Sequence, residues 1–144
     1  MKTLLAYGSK HVAARLVDRL GPLSGVEIIG QAYDAAGALA QIVSRGPELV
    51  IMDLFLPGGS GLLVLKHVKN NPPGPAVMMT TGSMFPQDRR QCLINGADYF
   101  FHLPDEVGRL IRAVAELARN FPAEGANAGR GKLHDEGRGR NAVV

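Results

Sequence analysis

The sequence predicts an α/β fold, a three-layer sandwich in which helices cover both faces of a parallel five-stranded sheet. Short β-rich runs alternate with helical patterns over the first 120 residues, and Gly, Pro and Asn separate them, as expected for βα units. Three of the strand candidates are almost wholly apolar, which suits strands buried under helices on both faces. The 144 residues, 46% of them hydrophobic, allow one domain with a buried core and leave no room for two.

Five strand candidates account for the sheet. The third contains the continuous apolar run from Leu49 to Met52, which predicts a position at the centre of the sheet. In chain order the candidates are residues 3–7, 26–32, 48–54, 76–80 and 98–102.

The first two helices are predicted in the intervals after the first and second strands. The first, over residues 11–20, repeats apolar residues at i, i+4 and i+8 before a Gly-Pro pair ends the pattern. The second follows Asp34, a predicted N-cap, and ends at Gly46. Both patterns present one apolar stripe to the sheet.

Three more helices complete the alternation. The third is predicted over residues 61–69 with Ser60 as its N-cap. The fourth has Pro86 at its first position and ends near Gly96. The fifth, over residues 104–119, carries two acidic residues in its first turn, where the helix dipole favours them.

Composition excludes several classes of protein. The longest apolar runs are far shorter than the ~20 residues that span a bilayer, and no signal-peptide core follows the first residues, so we expect a cytoplasmic protein without a membrane partner. The single cysteine cannot form an internal disulfide, and the four histidines lack the spacing of zinc ligands. The net charge of +3 is spread along the chain and does not indicate a nucleic-acid-binding protein.

The composition changes after Asn120. Residues 121–144 contain five glycines and charges of both signs without apolar periodicity, which predicts a disordered tail behind a domain at residues 1–120. An alternative function, association with nucleic acid through this tail, depends on four basic residues, and two acidic residues among them weaken it. The basic residues are Arg130, Lys132, Arg138 and Arg140.

Asp53 is the most informative polar residue because it ends an otherwise apolar strand, where an unpaired buried charge is costly. The carboxyl ends of parallel strands meet at one edge of a sheet, which brings Asp53 near Thr80, Thr81 and the turn at Tyr7. From local chemistry alone two interpretations stay open. Asp53 either caps the turn that follows it or belongs to a functional site.

The segment from Val50 to Gly61 resembles the phosphoacceptor segment of response-regulator receiver domains of the CheY-like superfamily, with a proline four and a glycine eight residues after Asp53. The resemblance covers roughly residues 3–119 and includes Thr81-Gly82, Gly96-Ala97-Asp98 and Leu103-Pro104. It implies a flavodoxin-like, doubly wound sheet with strand order 2-1-3-4-5. It also implies a cis peptide bond at Leu103-Pro104.

The resemblance assigns roles to individual residues. Asp53 occupies the position that is phosphorylated in this family. Thr81 occupies the position of the phosphate-sensing threonine or serine, and Phe100 matches the aromatic switch position. A receiver of the ordinary kind would therefore use these residues to detect its own phosphorylation.

Three positions depart from the family pattern. Active receivers bind Mg²⁺ with an acidic pair at the end of the first strand, and here those positions hold Tyr7 and Gly8. The lysine that pairs with the phosphoryl group at the end of the fifth strand is replaced by Leu103. Lys10 or His102 are the alternatives that could supply a missing charge, since each lies close in sequence to a missing group.

These departures predict an atypical receiver of the pseudo-receiver type with no cofactor. No helix-turn-helix or catalytic domain fits after residue 120, so we expect a stand-alone receiver without enzymatic activity. Phosphoryl transfer depends on positioning and on electrostatic stabilisation, so loss of the acids and the lysine predicts impaired or absent Mg²⁺-dependent phosphorylation. The alternative is a functional receiver phosphorylated on Asp53.

A signal would then pass through protein contacts. The expected partner is a sensor histidine kinase or another signalling protein, with a homodimer as a further expectation and nucleic acid not expected. The candidate surface combines aromatic and Arg side chains of the fourth helix, fifth strand and fifth helix, a composition typical of interfaces, with at least one aromatic ring accessible. Its residues are Arg89, Arg90, Tyr99, Phe101, Arg109 and Arg112.

Overall fold

Seven strands and five helices form residues 1–121, the part of the chain that a computed structural model describes. The strands are β1 (Lys2–Ala6), β2 (Glu27–Ala32), β3 (Leu49–Asp53), β4 (Phe55–Leu56), β5 (Gly59–Ser60), β6 (Ala76–Thr81) and β7 (Tyr99–His102). The helices are α1 (Lys10–Leu20), α2 (Ala35–Arg45), α3 (Gly61–Lys69), α4 (Pro86–Ile94) and α5 (Val107–Asn120). The predicted tail lies outside the described residues except for Phe121.

Five parallel strands form the main sheet in the order β2-β1-β3-β6-β7. This order is the predicted 2-1-3-4-5, because β6 and β7 are the fourth and fifth predicted strands. The apolar β3 lies at the centre, as its sequence indicated. The small antiparallel pair β4-β5 was not predicted, since strands of two residues carry no periodic signal.

Two predicted N-caps, Asp34 and Ser60, and the predicted helix start at Pro86 are confirmed. The Asp34 carboxylate accepts a hydrogen bond from the Gly37 amide at 2.6 Å, and the Ser60 hydroxyl accepts one from the Leu62 amide at 2.9 Å. Pro86 occupies the first turn of α4. These contacts satisfy amides that would otherwise lack partners at the helix ends.

The fifth helix begins at Val107, three residues later than predicted. The segment before it closes on itself: the His102 amide donates to the Glu106 carboxylate at 2.8 Å, and the Glu106 amide donates to the His102 carbonyl at 2.7 Å. These hydrogen bonds hold a turn that helical periodicity cannot distinguish from a first helical turn. The predicted cis bond at Leu103-Pro104 is confirmed.

Alternate strand side chains build two cores on opposite faces of the sheet. Val50 and Met52 of β3 face the layer of α2, α3 and α4, whereas Leu49 and Ile51 face α1 and α5. On β7, Phe100 packs on the α4 side. Among residues 1–121, no helix has both the length and the apolar character needed to cross a membrane.

Candidate functional site

The carboxyl edge of the sheet brings together the polar residues that the sequence singled out. Asp53, at the end of β3, pairs in register with Thr80 of β6. Tyr7 directly follows β1, the neighbour of β3 on the other side. Thr81 ends β6 one residue beyond Thr80. The predicted cluster around Asp53 is therefore present in the structure.

A buried hydrogen bond joins Tyr7 to Thr80. The two side-chain oxygens lie 2.6 Å apart, and Tyr7 is only 2% exposed. The Thr80 hydroxyl also lies 3.4 Å from the Met52 carbonyl, which can only accept, so we assign Tyr7 as the donor to Thr80. Burial, and to a lesser degree the Asp53 charge, raises the pKa of Tyr7, which keeps its hydroxyl neutral.

The Asp53 carboxylate is half-buried and accepts a hydrogen bond from the Phe55 amide at 3.2 Å. This contact is the turn-capping role that local chemistry allowed. Burial raises the pKa of Asp53, and backbone hydrogen bonds from Phe55 and Leu54 offset part of that rise. The environment thus disfavours the charged carboxylate.

Gly8 lies against the loop that follows Asp53. A Cβ atom built on Gly8 would lie 2.8 Å from Cδ of Pro57, closer than real Cβ atoms approach other atoms. An acidic side chain at position 8 would therefore require the Pro57 ring to move. The glycine is a packing requirement of this loop as well as a missing acid.

The donor set at this edge does not fit the Mg²⁺ ion that active receivers bind. Mg²⁺ prefers carboxylate oxygens, and Asp53 is the carboxylate that ends a strand here. No group of three or more His, Cys, Asp or Glu side chains within residues 1–121 is arranged to hold a metal ion. Tyr7 and Thr80 use their hydroxyls for each other.

Lys10 and His102, the two residues that could supply a substitute charge, make their contacts away from Asp53. The Lys10 ammonium lies over the Tyr33 ring, 5.2 Å from its centre. The His102 ring lies 3.2 Å from the Asp105 carboxylate and 3.3 Å from the Gly82 carbonyl. The structure therefore gives neither residue a contact with Asp53.

The candidate switch residues lie on β6 and β7. The hydroxyl of Thr81 is buried and accepts a hydrogen bond from the Ser83 amide at 3.0 Å. Phe100 is half-buried, with the Arg89 guanidinium 6.0 Å from its ring centre. Both side chains already have partners in this conformation.

The candidate partner surface requires one correction. Phe101 is only 9% exposed and packs in the core beneath α1 and α5, so it offers little surface to a partner. Tyr99 shares that face, as strand alternation predicted, and stacks on Phe101 with ring centres 6.0 Å apart, but it stays partly exposed. The arginines of this surface are exposed, and they are Arg89, Arg90, Arg109 and Arg112.

Sequence reasoning missed a cavity that opens beside Asp53. It has a volume of about 560 Å³ and lies between α1, the turn before α5 and the carboxyl edge of the sheet. Leu103, at the position of the family lysine, lines it together with Val12 and Val107. The missed signal was the replacement of charged residues by Tyr7 and Leu103 at two positions that the fold brings to this cavity.

We predict that Asp53→Asn stabilises the protein at pH 7. Because the folded-state pKa of Asp53 is raised, stability falls as pH rises from its ordinary value of 3.8 through the folded value, and the whole cost is present above that window. Asn removes the charge and can still accept from the Phe55 amide. Melting temperatures of both proteins from pH 3 to 8 should diverge with rising pH, and a less stable variant at pH 7 would contradict this electrostatic description.

Comparison with known proteins places these features in a family context. The family model of the response regulator receiver domain matches residues 8–115. The probable transcriptional regulatory protein TcrX of Mycobacterium tuberculosis is 28% identical over 117 residues, which are 81% of this chain and 50% of that protein. The phosphate regulon transcriptional regulatory protein PhoB of Escherichia coli is 32% identical over 94 residues, 63% of this chain and 41% of the relative. The chain spans half or less of the length of these curated relatives.

Solved structures show the same fold. The receiver domain of the response regulator NarL from Mycobacterium tuberculosis superposes with a TM-score of 0.75 at 23% identity, covering 82% of this chain and 95% of that one. A chain of the CheX-CheY complex with BeF3 and Mg²⁺ from Borrelia burgdorferi gives a TM-score of 0.73 at 21% identity, covering 81% and 88%. At these identities the similarity shows the fold alone.

Proposed function

The chain belongs to the response regulator receiver domain family of two-component signalling, and on that premise we propose that it is an atypical receiver that signals through protein contacts without Mg²⁺-dependent phosphorylation of Asp53. Receiver domains interact with histidine kinases and other signalling proteins. The observation that carries the proposal is what the residues at the three substituted positions contact. Tyr7 is hydrogen-bonded to Thr80, Gly8 packs against Pro57, and Leu103 lines an apolar wall.

Electrostatics support the proposal. Attack of an aspartate on a phosphodonor needs a charged carboxylate and cations that stabilise the transferring phosphoryl group. Burial raises the pKa of Asp53, which works against the first requirement. Leu103 supplies no charge, and Tyr7 and Gly8 occupy the positions of the acidic pair with which active receivers bind Mg²⁺. Both requirements are thus weakened together.

The direct test is incubation with acetyl phosphate, with and without Mg²⁺, followed by intact-mass measurement. We expect no Mg²⁺-dependent gain of a phosphoryl group, while a receiver that retains the acid pair and the lysine gains one under the same conditions. Asp53→Asn is the matched control, because it removes the only acceptor proposed. A Mg²⁺-dependent adduct that this substitution abolishes would establish the alternative, a functional phosphoacceptor.

Mg²⁺ binding has its own readout. A ligand present at about 100 times its dissociation constant stabilises a protein by ~2.7 kcal/mol, which is visible as a shift of several degrees in melting temperature. We expect millimolar Mg²⁺ to leave the melting temperature unchanged. A clear upward shift that disappears in Asp53→Asn would contradict the proposal.

We further propose that the partner surface lies on α4, β7 and α5, with the exposed Arg112 and the accessible part of Tyr99 at its centre. Aromatic and Arg side chains at a well-packed interface centre cost ~2 kcal/mol or more when truncated. The binding partner for this test is a signalling protein isolated by its binding to the full chain. We expect the double substitution Arg112→Ala and Tyr99→Ala to weaken its binding at least tenfold. Arg119→Ala, an exposed position at the end of the same helix, is the control.

The same titration separates this proposal from the phosphorylation-dependent alternative. Asp53→Asn should leave partner affinity within twofold, since a switch needs a ligand that distinguishes its two states. A large loss in Asp53→Asn with little effect of the surface double variant would reverse the ranking and favour phosphorylation-dependent binding.

A further inference from the structure

The cavity beside Asp53 has the dimensions of a small-molecule site. Its volume of about 560 Å³ falls within the range of roughly 300–1,000 Å³ that accommodates organic ligands. At a rise of about 1.5 Å per residue, Val12 and Arg19 of α1 are about 10 Å apart along the cavity wall, the length of two fused rings with their substituents.

Apolar side chains form part of the cavity wall, and one of them, Leu103, stands where an active receiver carries lysine. Val12 and Leu16 line it from α1, and Leu103, Pro104 and Val107 line it from the opposite side. Val12 is 36% exposed, so part of this apolar surface meets solvent. Covering such surface with an apolar ligand body is favourable in water.

Polar groups also line the cavity, and the carboxyl edge of the sheet, where Asp53 lies, forms its floor. On the floor, the Asp53 carboxylate accepts backbone hydrogen bonds from Phe55 and Leu54, and its two oxygens have further capacity to accept. Along α1, Arg15 and Arg19 line the cavity and form no ion pair or hydrogen bond with any other residue in the described part of the chain. Asp18 is the acidic residue beside them.

We propose that this cavity binds a small amphipathic organic acid, with an apolar ring body against Leu103 and Val107, its acidic group at Arg15 and Arg19, and a hydrogen-bond donor directed to Asp53. A guanidinium pair on one helix face favours an anion, and an acceptor on the floor favours an amine or hydroxyl. The inference rests on the proposed function, because a phosphorylated Asp53 would occupy the floor. It identifies the ligand class that replaces phosphate at this site.

A fluorescent probe with this chemistry is 8-anilinonaphthalene-1-sulfonate, which combines fused apolar rings, a sulfonate and an amine. Titrated into the full chain, it should show saturable binding to one site. Arg15→Gln with Arg19→Gln should weaken binding at least fivefold, and Asp53→Ala should weaken it at least threefold. The charge-matched control, Lys66→Gln with Arg119→Gln, changes exposed residues outside the cavity and should stay within twofold.

Val107→Trp fills the cavity from α5 and should abolish the saturable signal. Circular dichroism melts of each variant establish that the fold is retained, and the arginine double variant changes only exposed side chains, so it remains informative if Val107→Trp does not fold. Probe binding that neither variant reduces would place the dye on exposed apolar loops and overturn the proposal.

The two proposals fail separately. The titration contains no phosphodonor, so it measures the cavity whether or not Asp53 can be phosphorylated. A Mg²⁺-dependent phosphoryl adduct would overturn the proposed function, whereas absence of saturable probe binding to the unsubstituted chain would overturn the ligand site alone.

Discussion

Replacing Asp98 with alanine is expected to lower the free energy of unfolding by ~3–5 kcal/mol, the cost of removing one partner of a buried ion pair. Asp98 is 3% exposed, and one carboxylate oxygen accepts from the Lys69 ammonium at 2.8 Å and from the Val77 amide at 2.8 Å. The carboxylate thus ties α3 to the start of β6. Alanine would leave the Lys69 ammonium and the Val77 amide without this acceptor.

Urea denaturation at pH 7 measures the effect. Arg109→Ala is the matched control, because it removes an exposed arginine whose ion pair with Glu106 spans 3.0 Å, and pairs of this kind contribute at most ~1 kcal/mol. Equal losses in the two variants, or a loss below ~1 kcal/mol for Asp98→Ala, would mean that the buried pair is not a principal source of stability.

Gly61→Ala is the second large effect that we expect, a loss of ~1–3 kcal/mol or more through overpacking. A Cβ atom at Gly61 would lie 2.3 Å from the Asp53 carbonyl oxygen, and backbone cannot rotate away as a side chain does. The Gly61 amide also donates to the Leu54 carbonyl at 2.8 Å, which closes the loop after Asp53. The substitution should therefore displace this loop.

Gly108→Ala provides the opposite expectation for the same change. Gly108 lies in α5, and nothing lies within 4 Å of the added Cβ. Alanine should stabilise the protein there by ~0.5–1 kcal/mol, because glycine is the poorer helix former. Thermal melts of both variants should move in opposite directions, and a stable Gly61→Ala would show that this loop is more adaptable than its contacts indicate.

Most of the fold followed from local patterns. The apolar run of β3 predicted its central position, and Asp34, Ser60 and Pro86 predicted helix starts, because capping and backbone geometry act over three or four residues. The start of α5 was wrong by three residues because hydrogen bonds between His102 and Glu106 form a turn. The hairpin of β4 and β5 is too short to leave a pattern.

The burial of Phe101 shows where strand alternation stops being informative. Alternation correctly put Tyr99 and Phe101 on one face and Phe100 on the other. Which ring reaches solvent depends on how α5 covers that face, and Phe101, nearer the sheet edge that carries Asp53, is covered while Tyr99 stays partly exposed. The position of a helix over a strand depends on contacts between residues that are far apart in sequence.

The residues of the candidate site divide in the same way. The sequence predicted that Asp53, Tyr7 and Gly8 lie at the same edge of the sheet, because parallel strands bring their carboxyl ends to one edge. The bond from Tyr7 to Thr80, the contact of Gly8 with Pro57 and the cavity beneath α1 were decided only by the tertiary structure. Such features depend on distances between segments far apart in sequence, and those distances are set when the helices pack on the sheet.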